Sequence, residues 1–344
     1  MKSFASDNYA PVIPEVLDYI LKVNVDHARS YGADPYTEEL AALFDEIFGR
    51  KVSSFLVFNG TGANLLGISS VLRPYESVIC TDLSHLNVDE SNAPQLITGG
   101  RLQSIKANDE GKLSPDRIQY VCHRLGDPHA PQPRVVSITQ ATEYGTVYSL
   151  DEIKSLRAVC DQFNLLLHVD GARLLNAACY LGVSIQQMIT ETGVDILSFG
   201  GTKAGTMGAE AVIFVNPELA KDAKYFHKRN TQLVSKNRYL AAQFLALLKN
   251  DCWMQYCNNA NSMALKLATV LAQFPEVKLT QAIQANGVFA IFPVEWIKPL
   301  QEIIPFYIWD TFRNEVRLMC SWDTTAKDID LLVAGIRKLK SGEI

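Results

Sequence analysis

One lysine stands apart from the other charged residues. Lys203 lies in Ser198-Phe199-Gly200-Gly201-Thr202-Lys203-Ala204-Gly205, at the end of a short apolar run, with nothing of opposite charge near it in sequence. A lysine that must reach a carbonyl carbon needs a tightly turning backbone and room around it, and small neighbours provide both. A flexible loop with an incidental lysine would look the same. Upstream, His168-Val169-Asp170-Gly171-Ala172-Arg173 ends another apolar run. Ligands of open α/β sheets bind outside the C-terminal ends of strands, and an acid there can pair with a protonated ring nitrogen or simply cap the next helix. His168 is expected to face the other side of that strand, as packing. A third stretch, Asn59-Gly60-Thr61-Gly62-Ala63-Asn64, joins a strand to the apolar helix LLGISSVL. Its glycines let the backbone approach an anion, and the N–H groups of the helix start and the Thr61 hydroxyl can bind phosphate. It reads equally as a Gly-rich turn, and it is not a P-loop, because no GK[ST] follows. Phosphate loop, acid and lysine in that order are more specific together than any one alone.

These residues need a scaffold that brings strand ends together. Candidate strands are 53–58, 76–82, 134–140, 165–170, 195–201 and 209–215, with helices between most of them. The helix at 149–163 opens with a capping box, Ser149 and Glu152. Strands alternating with helices imply an α/β fold with a mostly parallel sheet covered on both faces. The link between 195–201 and 209–215 is short enough that this pair must be antiparallel. A long helical stretch follows (about 217–274), then strands at 287–295 and 315–322 and a last helix. The expected division is residues 1–30 as a segment wrapping onto the body, 31–240 as a large α/β domain and 241–344 as a small C-terminal α+β domain.

The totals narrow the function classes. The 344 residues are 48% hydrophobic, enough for a large core, and the net charge of -5 comes without a basic run. That argues against nucleic acid and anionic membrane surfaces. No apolar stretch is long enough to cross a bilayer, and the first residues lack the apolar core of a signal peptide. Seven scattered cysteines suggest reduced thiols and a cytoplasmic protein. The six histidines form no cluster with them, so no metal site is expected. A dinucleotide fold would show GxGxxG after an early strand, which is missing.

With these motifs in place, the chain resembles the fold-type-I pyridoxal-phosphate enzymes of aspartate-aminotransferase-like fold. More narrowly, it resembles the low-specificity L-threonine aldolases of the β-eliminating lyase superfamily. Ser6-Asp7-Asn8, Tyr31-Gly32 with Asp34-Pro35, the NGTGAN loop, His85 in LSHLNVDE, His129 in GDPHAPQP, Asp170-Gly171-Ala172-Arg173 and Lys203 carry the likeness over nearly the whole chain. It departs from the pattern at Asn59, where a Ser is usual, and in Gly-Gly-Thr-Lys-Ala-Gly, where Ser-Lys-Gly is usual.

The resemblance implies that Lys203 holds pyridoxal 5'-phosphate covalently and that Asp170 keeps its ring nitrogen protonated. It implies that His85 stacks on the ring, that Gly60, Thr61, Thr142 and Arg173 contribute to the cofactor site, and that His85 or His129 is the base. Ser6, Tyr31, Arg173 and Arg317 would hold the amino-acid substrate, the two arginines clamping its carboxylate. Lys236, in KRNTQLVSKNR, would meet the cofactor phosphate of a neighbouring subunit, since such sites lie at a dimer interface in a homodimer or homotetramer. The reaction implied is aldol cleavage of L-threonine, L-allo-threonine or a related β-hydroxy-α-amino acid to glycine and an aldehyde. β-Elimination, transamination or racemisation on the same residues, and a non-catalytic scaffold, stay open from sequence alone.

Overall fold

The computed structural model describes residues 2–343. Eleven strands form two sheets. In chain order, β1 is Ser53–Val57, β2 Glu76–Thr81, β3 Arg101–Ile105, β4 Gln132–Thr139, β5 Leu166–Gly171, β6 Ile196–Gly200 and β7 Glu210–Phe214. These make a seven-stranded sheet in the order β1-β7-β6-β5-β4-β2-β3. β8 (Lys278–Leu279), β9 (Gly287–Ile291), β10 (Tyr307–Asp310) and β11 (Glu315–Met319) make a four-stranded antiparallel sheet.

In the large sheet β2 through β6 pair in parallel, while β7 runs antiparallel to both β6 and β1. The short link before β7 thus does what its length requires. All the other strands end on one edge of the sheet. β6 and β7 are buried along their whole length, as central strands covered on both faces must be, so their sequences read as unbroken apolar runs. β3 lies at the edge and its sequence, RLQSI, is polar and partly exposed, which is why no apolar run announces it. β10, YIWD, is another edge strand and is missed for the same reason.

The expected helical stretch at 217–274 is interrupted. Helices Ala223–Arg229, Arg238–Leu248 and Cys252–Leu271 are separated by a turn at 230–237 and a kink with Asn250 and Asp251 at positive φ. The helix at Leu150–Gln162 starts with the capping box read from sequence, Glu152 N–H donating to Ser149 Oγ at 3.2 Å and Ser149 N–H to Glu152 Oε2 at 2.7 Å. Helix Cys252–Leu271 serves two cores: Trp253 and Cys257 pack with the large sheet, Ala264, Leu267 and Leu271 with the small one. The N-terminal segment ties the same two bodies. Phe4 is buried in the small core and its carbonyl accepts from Met319 N–H, while Ile13 is buried in the large core.

Candidate active site

Five strand ends converge on one sheet edge. β1 leads into the helix Gly60–Ser69, β2 into His85, β4 into Glu143, β5 ends at Asp170-Gly171, and β6 leads into Lys203. At the first, Asn59 is the N-cap, its Oδ1 accepting from Gly62 N–H at 2.7 Å. The N–H groups of Gly60 and Thr61 have no acceptor within the helix, as at every helix start. A Cβ built on Gly60 would meet nothing within 4 Å, so the backbone there is open. Gln232 lies against Gly62 and accepts from Phe58 N–H at 3.1 Å.

Asp170 is buried. Its Oδ1 accepts from Ala172 N–H at 3.0 Å and its Oδ2 from Asn64 Nδ2 at 2.8 Å. His168 does not face the other side of β5, as expected from sequence. Side chains two apart in a strand share a face, and His168 and Asp170 both lie under the helix Gly60–Ser69, against Gly67 and Asn64 respectively. Its ring bridges Ser137 Oγ (2.8 Å) and Ser198 Oγ (3.0 Å) of the neighbouring strands, and burial lowers its pKa to about 4. A neutral, fully partnered imidazole is a packing element.

His85 opens a single helical turn after β2. Its Nδ1 lies 2.9 Å from Glu90 Oε1, and its backbone N–H donates to Glu143 Oε1 at 3.1 Å. The Glu90 hydrogen bond raises the His85 pKa against the opposing effect of burial. Glu143 also accepts from Thr139 Oγ1 at 2.7 Å, and burial pushes its pKa up to about 7.

Lys203 sits in a tight turn that only small residues allow. A Cβ on Gly201 would stand 2.4 Å from the Ala209 carbonyl oxygen, and one on Gly200 would strike the Ala172 backbone at 2.8 Å. Ile13 N–H donates to the Gly205 carbonyl, so the N-terminal segment lies across this turn. Burial and the nearby Arg173 charge lower the pKa of the Lys203 ammonium, which favours the nucleophilic neutral amine. Behind it, Glu210 accepts from Gly201 N–H and Thr202 N–H, both at 3.2 Å, and burial pushes it up to about 7. The Thr206 hydroxyl, on the side chain packed beside Gly201, is buried with no partner among the described residues.

Arg173 follows Asp170 and spends its fork on Asp7, Nε to Oδ2 at 2.7 Å and Nη2 to Oδ1 at 2.9 Å. Asn286 Nδ2 donates to the same carboxylate at 3.1 Å. Burial alone would raise Asp7, but Arg173 and Lys203 outweigh it and hold it at about 2. Arg317, on β11, is the guanidinium with donors to spare. Among the described residues its buried Nε has no partner and its one hydrogen bond is a 3.4 Å contact to the Ala5 carbonyl, and the rings of Tyr307 and Trp309 flank it. Burial and the Arg173 charge push its pKa down to about 10.

Other residues fall elsewhere. Ser6 is buried next to Asp7, its Oγ capping Asn8 N–H. Thr142 is buried, its hydroxyl 2.7 Å from Thr146 Oγ1 in a tight turn. Tyr31 is exposed at positive φ, with its N–H on the Ser235 carbonyl and Lys228 over its ring, and Lys236, the residue after Ser235, is exposed. His129 is exposed and precedes β4, so it stands at the opposite edge of the sheet from Lys203 within one chain. Asp7, Asn64 and Glu90 lie inside stretches singled out from sequence but had no role there, and Glu143 and Glu210 were not singled out. Their only signal is a polar residue at a position that folding buries.

Residues 3–292 match the beta-eliminating lyase family. The chain belongs to that family. It is 40% identical to a low specificity L-threonine aldolase of Pseudomonas aeruginosa, over 98% of this chain and 97% of that one. A low specificity L-threonine aldolase of Saccharomyces cerevisiae is 27% identical over 76% of this chain and 67% of its own length. Among solved structures, the Leishmania major threonine aldolase superposes with a TM-score of 0.92, covering 98% of this chain and 99% of that one at 28% identity. Mouse CSAD, at 13% identity and a TM-score of 0.76, shares the fold alone.

Proposed function

We propose that the protein cleaves L-threonine, L-allo-threonine or a related β-hydroxy-α-amino acid to glycine and an aldehyde, using pyridoxal 5'-phosphate. The observation that carries this reading is the delivery of Asp170 and Lys203 by adjacent strands, β5 and β6, to the edge where the open helix start at Gly60-Thr61 stands. Together with the relatives' aldolase activity, it favours aldol cleavage over other chemistry on the same scaffold. The donor set suits the cofactor. Gly60 and Thr61 N–H groups and the Thr61 hydroxyl would take the phosphate, Asp170 the ring N–H and Lys203 the carbonyl carbon, and His85 would cover the ring. When bound, the cofactor draws electrons from the substrate's Cα through its protonated ring.

The chain's own residues do the rest. Arg317, with an unpartnered buried donor, takes the substrate carboxylate in the role a planar fork fills best. Arg173, its fork held by Asp7, adds charge beside it. Fixing the carboxylate would limit rotation about the bond between the substrate's amino nitrogen and Cα, and so set which bond of Cα faces the electron sink. His85 takes the proton of the β-hydroxyl as Cα–Cβ opens. Tyr307 and Trp309 flank Arg317, and the N-terminal segment lies across the lysine turn.

The assembly we propose is a homodimer or homotetramer with the site at a subunit interface. Phe58, next to the phosphate loop in sequence, and Met207, close after the lysine turn, are both exposed apolar residues. Exposed Tyr31 and Lys236 add to this surface, and a second copy would also be needed to bring any His129 to a site. Unpaired cysteines support a cytoplasmic location, and no described helix is long and apolar enough to cross a membrane. The test is incubation with L-threonine and assay of glycine and acetaldehyde against ammonia and a keto acid.

A further inference from the structure

A continuous chain of hydrogen bonds runs from Asp170 to His85. Asn64 spends both protons of its amide, one on Asp170 Oδ2 at 2.8 Å and one on Glu90 Oε1 at 2.9 Å. The same Glu90 oxygen lies 2.9 Å from His85 Nδ1. Asn64 and Glu90 are buried, and the Glu90 side chain has no exposure at all. Asn64 Oδ1 and Glu90 Oε2 have no partner among the described residues. A buried carboxylate with an unmet oxygen is costly to keep, so an apolar residue would serve simple packing better.

We infer that Glu90 and Asn64 are positioning residues that fix the tautomer of His85 and lock it to Asp170 as one unit. This rests on the reading of His85 as the base. An ionised carboxylate only accepts hydrogen bonds, so Glu90 requires the proton on Nδ1. That leaves the lone pair of Nε2 as the atom able to take a proton from substrate, the arrangement in which a carboxylate orients an imidazole base. Asn64 matters because its amide is the other group that holds the Glu90 oxygen facing His85. The amide holds the carboxylate and Asp170 at a set spacing, so the base and the acid beneath the ring keep their geometry together. The other charged groups near His85 are Asp170 and Lys203 across the site and Glu143 at its main-chain N–H.

Two variants separate charge from acceptor. Glu90→Gln keeps an oxygen for Nδ1–H but removes the charge. Glu90→Leu removes both. The readout is the pair of ring-nitrogen shifts of His85 in protein labelled with 15N-histidine, recorded with and without pyridoxal phosphate and assigned by loss of the signals in His85→Asn. The expected wild-type state is Nδ1–H with bare Nε2. In Glu90→Gln that tautomer persists, the His85 titration moves to lower pH, the acid limb of kcat moves with it, and the plateau of kcat falls about tenfold or more with KM little changed. In Glu90→Leu the Nδ1–H preference disappears, and Glu90→Asp restores part of kcat. Identical His85 shifts and titration in wild type, Glu90→Gln and Glu90→Leu would overturn the inference, whatever the activity. The base assignment fails separately, if His85→Asn cleaves threonine at the wild-type rate.

Discussion

The Asp170 carboxylate is held by Asn64 and by the Ala172 N–H, and neither bond belongs to the pairing of the sheet. Asp170→Asn should therefore fold normally. Loss of the charge beneath the electron sink should cut kcat at least about a hundredfold, on the order of 3 kcal/mol; a variant with wild-type kcat would make the acid structural. A second residue-scale expectation concerns pH. Burial raises Glu143 and Glu210 to about 7, above the ordinary glutamate value near 4.3 in the unfolded chain. Between those values the folded state binds more protons than the unfolded one, so these two groups make stability fall as pH rises through that window. Glu143→Gln and Glu210→Gln should each flatten that slope in denaturation series taken from pH 4.5 to 7.5. An unchanged slope in both would place the protons elsewhere.

The active-site elements were legible where they combine a strand end with small residues. Lys203, Asp170 and the Gly60-Thr61 loop follow apolar runs that only a covered sheet explains, and their order fixes which edge they share. What sequence did not carry was pairing at long range. Nothing in LSHLNVDE says that Glu90 turns back on His85, or that Asn64, on a helix, reaches both Glu90 and Asp170. Arg317 was named from the resemblance alone, and nothing in EVRLMCSW says that the rings of Tyr307 and Trp309 flank it. His168 was misplaced by overlooking the two-residue period of β5, and the edge strands β3 and β10 were missed because their partial exposure permits polar residues. The lysine turn itself is testable as an element. Gly201→Ala forces a methyl to 2.4 Å from the Ala209 carbonyl oxygen, a backbone atom that cannot step aside. The expected cost is about 1–3 kcal/mol in denaturant unfolding, with loss of activity from displacement of Lys203. Wild-type stability would mean that the turn has slack.

At the scale of the whole molecule, the N-terminal segment and the helix Cys252–Leu271 join the two cores, while Phe58, Met207 and Tyr31 leave a side with exposed apolar residues. A two-fold interface would cover that side twice and create two equivalent sites. If Lys236 serves the neighbour's site, mixing Lys203→Ala chains with Lys236→Ala chains should return part of the activity, because some hybrids carry one intact site. No rescue despite proven subunit exchange would confine Lys236 to its own chain. The central claim, aldol cleavage on Lys203, has a more direct test. Purified protein with pyridoxal phosphate and L-threonine should release glycine and acetaldehyde in equal amounts, and Lys203→Ala should release neither and lose the visible absorbance of the lysine-bound cofactor. Ammonia and a keto acid in place of acetaldehyde, or undiminished cleavage by Lys203→Ala, would contradict it.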